Sequence, residues 1–113
     1  EQKQINDVIS HIIRIQHQKL TVNQLADFSC MIPQAFCRWV RKHTGLSFIT
    51  YLNKSRIEAA CQILLVSDRS VKTIASEVGF ESISHFNRTF KKYIGISPLE
   101  YRKKHAGKRT MMV

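Results

Sequence analysis

Polar and basic side chains alternate with widely spaced apolar ones between Glu77 and Lys92, in the stretch EVGFESISHFNRTFKK. Phe86 and Phe90 stand four residues apart, which places both on one side of a helix and predicts their burial. Arginine suits bidentate hydrogen bonds to guanine, and lysine suits contacts with phosphate. The side chains left outside the buried side, with the chemistry to recognise a polyanion, are Ser84, His85, Asn87, Arg88, Lys91 and Lys92.

A second helix-forming stretch, from Pro33 to Gly45, carries a comparable set. Phe36 and Val40 predict its buried side. An arginine therefore stands in mid-helix on the outward side of both stretches, at Arg38 here and Arg88 there. The outward polar residues of this helix are Gln34, Arg38, Arg41 and Lys42.

These two stretches belong to an internal repeat. Ala26 lies 49 residues before Ala75, and one residue is inserted near Ile83. Each copy reads as a short helix, a tight turn, a longer helix and a glycine stop, which is the pattern of a helix-turn-helix. After the insertion the spacing is 50, and it relates Phe36, Arg38, Lys42, Gly45, Ser47 and Tyr51 to Phe86, Arg88, Lys92, Gly95, Ser97 and Tyr101.

The second helix of a helix-turn-helix enters the major groove of DNA, and its early outward residues meet the base edges. Basic residues further along contact phosphates instead. The residues predicted to meet bases are Gln34, Arg38, Ser84, His85 and Arg88. The residues predicted to lie nearer the phosphates are Arg41, Lys42, Asn87, Lys91 and Lys92.

Composition agrees with a polyanionic partner. The 113 residues include 18 Lys and Arg against 8 Asp and Glu, a formal net charge of +10. Such a balance favours nucleic acid or an anionic membrane surface. The absence of an apolar run near the ~20 residues of a membrane span, and of a signal peptide, argues against a membrane partner.

Other chemistry finds little support in the sequence. Cys30, Cys37 and Cys61 are odd in number and form no C-x-x-C pair, which argues against disulfides or structural zinc and favours a reducing cytoplasm. Histidines show no metal-binding or acid–base arrangement. The sequence therefore predicts no enzyme activity, no cofactor and no metal site.

Hydrophobic periodicity predicts an all-α fold of seven helices. The first runs from about Gln2 to Gln16, with Ile5, Val8, Ile9 and Ile12 as its apolar stripe. Two helix-turn-helix subdomains, at 1–46 and 68–105, are joined by a long linker helix at 47–67, and 106–113 forms a disordered tail. The expected helix caps are Thr21, Ser70, Ser82 and Ser97 at N-termini, and Gly45, Gly79 and Gly95 at C-termini.

The linker helix has a length that matters for DNA. About twenty residues span roughly 30 Å, close to the ~34 Å between successive major-groove windows on one face of B-DNA. We therefore expect one chain to place its two recognition helices in successive major grooves.

The stretch RIEAACQILLVSDRSVKTIASEVGFESISHFNRTFKKYIGISPLEYRKK contains an R-x-x-x-A…LL linker, an I-A…V-G-F turn, an F-x-R-x-F-K helix and a G-x-S-P-x-x-Y-R ending. With these motifs the chain resembles the DNA-binding domain of AraC/XylS-type bacterial transcription regulators, and the resemblance is most specific in the second half. It covers essentially residues 5–104. It implies a two-lobed fold that binds asymmetric promoter sites, as an activator that contacts RNA polymerase. A chain starting at Glu1 rather than methionine fits a longer protein, with an effector or dimerisation domain before this segment.

The first copy departs from the family pattern at two positions. Cys30 stands where glycine is usual in the turn, and Ile32 stands where Ser or Thr would cap the recognition helix. Losing a cap costs about 1 kcal/mol. We therefore expect the first recognition helix to be held less firmly than the second.

Two positions and the function itself admit alternatives. Trp39 is predicted to join the core rather than wedge into DNA. Arg56 falls inside the apolar arc of the linker helix and is predicted to be structural, paired with Glu77 or Asp27, with direct DNA contact as the alternative. The competing function is a helical protein-interaction module whose basic face docks an acidic partner.

Overall fold

The computed structural model describes residues 2–15 and 21–105, and these form seven helices and no strand. The all-α prediction is confirmed. The predicted disordered tail at 106–113 and the predicted helix end at Gln16 lie outside the described residues. The helices are α1 (Gln2–Ile15), α2 (Val22–Phe28), α3 (Pro33–Thr44), α4 (Phe48–Val66), α5 (Val71–Glu77), α6 (Ile83–Ile94) and α7 (Pro98–Lys104).

Two compact units make up the chain, and the boundary between them falls inside α4, between Ser55 and Arg56. The predicted division into 1–46, 47–67 and 68–105 uses different boundaries and stays a prediction. Each unit has its own hydrophobic core, which places each recognition helix on a separate support.

The core of the first unit is built around Phe36 of α3. The Phe36 ring meets the edge of Phe48, with ring centroids 5.7 Å apart, and packs beside the half-buried Trp39 at 6.4 Å. The prediction that Trp39 joins the core is thus confirmed. The buried residues of this core are Val8, Ile12, Leu25, Ala26, Phe36, Val40, Phe48 and Leu52.

One aromatic residue of this unit is only partly buried. Phe28 is 46% exposed, and its ring stacks on the half-buried imidazole of His11, with centroids 3.8 Å apart. The side chains of Ile5 and Ile9 lie outside the described residues.

The core of the second unit is richer in aromatic contacts. Phe86 lies between Phe80 at 5.3 Å and Phe90 at 5.7 Å, and Phe90 meets the edge of Tyr101 at 5.6 Å. The buried residues of this core are Ile57, Ala60, Leu64, Ile74, Ala75, Val78, Phe80, Phe86 and Phe90.

Helix α4 supplies apolar residues to both cores in turn. Phe48 and Leu52 belong to the first core, and Ile57, Ala60 and Leu64 belong to the second. Not every apolar residue of α4 is buried, since Ile49 is 60% exposed whereas Ile57 is 1% exposed. A helix that serves two cores need not carry one continuous stripe.

Polar groups close the helix ends where the sequence predicted. Thr21 and Ser97 form capping boxes with Gln24 and Glu100. The hydroxyls of Ser70 and Ser82 each accept a hydrogen bond from the backbone N–H three residues on, at 3.1 Å. Gly45 and Gly95 end α3 and α6 in the left-handed conformation, with φ of +77° and +95°.

The end of α4 is held from a distant part of the chain. The Nε and Nη2 atoms of Arg102 donate to the carbonyl oxygens of Leu64 and Ser67, at 3.2 and 3.1 Å. The last carbonyls of a helix have no partner within it. Arg102 therefore fastens α7 to the end of α4.

Candidate nucleic-acid interface

A small set of contacts fixes the connection between α5 and α6, which is called here the second turn. Gly79 adopts φ of +106°, and the backbone N–H of Phe80 donates to the carbonyl of Ala75 at 2.9 Å. The Phe80 side chain, 5% exposed, then packs on Phe86. Ser82 caps the helix that follows. The start of α6 is thus fixed both by the backbone and by a buried ring.

Helix α6 separates its buried and exposed residues cleanly. Phe86, Thr89 and Phe90 are buried. The six polar residues predicted to face DNA are all exposed: Ser84, His85, Asn87, Arg88, Lys91 and Lys92. Four of them follow the i, i+3, i+4, i+7 pattern of one helix face and are named here the α6 stripe: Ser84, Asn87, Arg88 and Lys91.

Helix α3 carries the same arrangement fifty residues earlier. Phe36 and Val40 are buried. The four predicted DNA-facing residues are all exposed: Gln34, Arg38, Arg41 and Lys42. The face that corresponds to the α6 stripe is named the α3 stripe and consists of Gln34, Cys37, Arg38 and Arg41, all exposed.

The two turns share their backbone hydrogen bonds. Cys30 N–H donates to the carbonyl of Asp27 at 3.1 Å, as Gly79 N–H does to that of Ser76. The bond from Phe80 to Ala75 likewise has a counterpart from Met31 to Ala26, at 2.8 Å. The two copies therefore orient their second helices by the same local geometry.

The turns differ in what occupies them. Cys30 is the one non-glycine residue with positive φ in the described chain, at +58°. Ile32 makes no side-chain capping bond, as predicted. Because Met31 and Phe80 are 49 apart while the caps Ile32 and Ser82 are 50 apart, the inserted residue is Glu81, which is near Ile83 as predicted.

Arg56 supports the second turn from within the core. It is 8% exposed, and its guanidinium carbon lies 6.0 Å from the centroid of the Phe80 ring. Burial lowers the pKa of Arg56, while the charge of Glu81 raises it. The structural role is thereby supported. The acidic residue whose charge acts on Arg56 is Glu81, which the sequence analysis did not single out, while Glu77 accepts a bond from Arg69 at 2.6 Å.

A groove beside the α6 stripe was missed by the sequence interpretation. It has a volume of about 400 Å³ and a largely apolar lining. Ile83 and Leu99 are 40% and 65% exposed and border it. Ile83 is the first residue of α6, and Leu99 is the second residue of α7. Each is an apolar residue outside the buried side of its helix, and this was the sequence signal that could have identified them. The other lining residues are Val71, Asn87, Arg88, Lys91, Ser97 and Pro98.

Other kinds of site are not apparent in the described part of the chain. It holds no group of three or more His, Cys, Asp or Glu side chains arranged for a metal ion. None of its helices is both long and apolar enough to traverse a bilayer. Cys30, Cys37 and Cys61 are free thiols, and burial raises the pKa of the last.

Residues 25–104 match the family model described as a helix-turn-helix domain. The chain belongs to the AraC-type helix-turn-helix family. It is therefore a DNA-binding domain of transcription regulation rather than an enzyme. The predicted resemblance is confirmed.

Two solved structures share this fold, and one of the two is a complex with DNA. The DNA-binding domain of AdpA, crystallised in complex with a target DNA, is 28% identical and superposes with a TM-score of 0.88 over 93% of this chain and 95% of that one. The C-terminal domain of AraT, a response regulator from Geobacillus stearothermophilus, is 31% identical, with a TM-score of 0.84 over 89% of this chain and 84% of that one.

Curated relatives are longer proteins. A helix-turn-helix-type transcriptional regulator from Haemophilus influenzae is 35% identical over 91% of this chain and 35% of its own length. The MmsAB operon regulatory protein of Pseudomonas aeruginosa is 34% identical over 78% of this chain and 29% of its own length. The chain thus spans about a third of the length of these relatives.

Proposed function

We propose that the chain reads an asymmetric promoter site in double-stranded DNA, with α3 and α6 each entering a major groove. The observation that carries this is the pair of exposed stripes, which have the same spacing and the same mid-helix arginine on helices aimed by the same turn geometry. We assign base recognition to Gln34, Arg38, Ser84, His85 and Arg88. We assign phosphate contacts to Arg41, Lys42, Asn87, Lys91 and Lys92.

Asymmetry of the site follows from the composition of the stripes. Gln34 and Cys37 of the α3 stripe stand where Ser84 and Asn87 stand in the α6 stripe. Hydrogen-bonding side chains of different type prefer different base edges. The two helices therefore read different sequences, and the site lacks the palindrome that two identical readers would select.

The intact protein is proposed to be a cytoplasmic bacterial regulator, acting as an activator that contacts RNA polymerase. We also propose that the intact protein has an effector or dimerisation domain outside this segment. The family resemblance supports these points, and so do the greater lengths of the curated regulators.

Selection from a random duplex library tests the proposal. The 113-residue chain is expected to enrich one non-palindromic sequence, and hydroxyl-radical footprinting is expected to show two protected windows about 10 base pairs apart. Successive major grooves would produce that spacing. Enrichment of no sequence above competitor DNA would contradict the proposal and favour a protein-interaction module.

A further inference from the structure

Arg56 is buried although it carries a charge that water would solvate better. Ser29, Arg56 and Thr89 are the buried polar residues of the described chain, and Arg56 alone among them is ionic. Burying an uncompensated charge is costly. Its compensation comes from the second turn, through the face of Phe80 at 6.0 Å and the charge of Glu81.

The Phe80 ring that lies near Arg56 also contacts His85, one of the residues proposed to read bases. His85 packs edge-on against Phe80, with centroids 5.3 Å apart and an interplanar angle of 74°. His85 is exposed and lies in the first turn of α6, where a recognition helix meets base edges. Arg56 and His85 thus contact the same aromatic ring.

We infer that Arg56 is a positioning residue for base recognition, which fixes the imidazole of His85 through Phe80, while the charge of Glu81 stabilises its guanidinium. The inference rests on the proposed function, because it assigns His85 to base readout. Arg56 itself does not contact DNA in this account. A planar guanidinium can stack on an aromatic ring, which a lysine ammonium does not do.

The first copy lacks the corresponding parts. Met31 stands where Phe80 stands, Ala35 stands where His85 stands, and no residue corresponds to Glu81. The insertion that distinguishes the two turns therefore supplies the acidic group whose charge acts on Arg56. Discrimination at the base pairs facing the first turn of α6 is expected to depend on Arg56, while discrimination by α3 is not.

A purely structural role for Arg56 would produce a different result. Loss of stability alone would weaken binding to every duplex by the same factor. Loss of positioning would instead reduce discrimination at the base pairs that His85 reads. Base preference and its coupling to His85 therefore separate the two roles.

The experiment compares Arg56→Met with the control Arg69→Met on the selected duplex and its single-base-pair variants. Arg69 lies in the same unit, in an exposed ion pair with Glu77. Arg56→Met is expected to lose on the order of tenfold discrimination at positions sensitive to His85→Ala, and none at positions sensitive to Arg38→Ala. Arg69→Met is expected to retain the parent preference.

A double-mutant cycle then tests whether Arg56 acts through His85. In the His85→Ala background, Arg56→Met is expected to cause no further loss at those positions, because coupled residues are non-additive. Additive losses would overturn the inference. So would equal weakening on all duplexes, or the absence of any position sensitive to His85→Ala.

Glu81→Gln keeps the inference testable if Arg56→Met does not fold by circular dichroism. Glu81 is exposed, so its neutralisation leaves the core intact. A loss of about threefold at the His85-sensitive positions is expected, and parent-like discrimination would overturn the inference. A parent chain that enriches no sequence overturns the proposed function itself, whereas equal discrimination by the parent and Arg56→Met overturns only the role of Arg56.

Discussion

The two helix-turn-helix copies use the same backbone geometry but secure it with different side chains. In the second copy the turn has a glycine at positive φ, a buried phenylalanine and a serine cap, at Gly79, Phe80 and Ser82. In the first copy those places hold Cys30, the half-buried Met31 and the uncapped Ile32. The comparison teaches that the same backbone hydrogen bonds form with different side chains in the turn. We expect those side chains to set how firmly each recognition helix is held.

The largest expected effect comes from removing the buried ring of the second turn. Phe80→Ala is expected to lower the free energy of unfolding by about 3–5 kcal/mol, because it leaves a cavity beside Phe86. Met31→Ala, at the matching place, is expected to cost less because Met31 is half-buried. Urea denaturation followed by circular dichroism measures both, and equal costs would contradict the difference between the turns.

The next effect concerns the arginines at matching places in the two stripes. Arg88→Ala and Arg38→Ala are each expected to cost about 1–3 kcal/mol of discrimination, at base pairs in different halves of the site. Binding titrations with single-base-pair variants measure this. Sensitivity of both variants at the same base pairs would show that the stripes do not read separate halves.

Lys91→Ala serves as the control for that measurement. It is expected to weaken binding to all sequences and to lower the salt slope by about one, because it removes one phosphate contact. A change in base preference would move Lys91 from the phosphate set to the base set.

A smaller effect is expected at the positive-φ position of each turn. A left-handed conformation costs a non-glycine residue about 1–2 kcal/mol. Cys30→Gly should recover part of that cost and raise the midpoint of denaturation, whereas Gly79→Ala should lower it. If Cys30→Gly destabilises the chain, the strain assigned to the first turn is not there.

The smallest effect is expected at the caps. Ile32→Ser is expected to stabilise α3 by about 1 kcal/mol, and Ser82→Ala to destabilise α6 by a similar amount. Thermal denaturation compares the two variants with the parent. An unchanged melting temperature for Ile32→Ser would mean that the serine hydroxyl does not reach the free backbone N–H groups of α3.

Local signals in the sequence predicted the helices and the exposed residues of both stripes. Caps such as Ser82 and Ser97, and the stops Gly45 and Gly95, act through neighbours three or four residues away, so the sequence displays them directly. The fifty-residue spacing then transferred the interpretation of one copy to the other. The position of the insertion was predicted only approximately, because it depends on backbone hydrogen bonds and not on residue type.

Contacts between residues far apart in the chain were harder to predict from the sequence. The stacking of Phe28 on His11 joins residues seventeen positions apart. Glu81 acts on Arg56 across twenty-five residues, and no periodicity relates the two. Ile83 and Leu99 border one groove only because α6 and α7 lie together. A pattern of residue types identifies which side chains need partners, but the folded chain determines which partners they meet.

The bonds from Arg102 to the end of α4 have a consequence for how the protein is made. Arg102 lies thirty-five or more residues after the carbonyls that it binds. Chains emerge from the ribosome N-terminus first, so α4 is synthesised well before the side chain that closes it. A chain terminated before position 102 would contain both recognition helices and still leave the last turn of α4 unfinished, which marks α7 as the closing step in the biogenesis of the second unit.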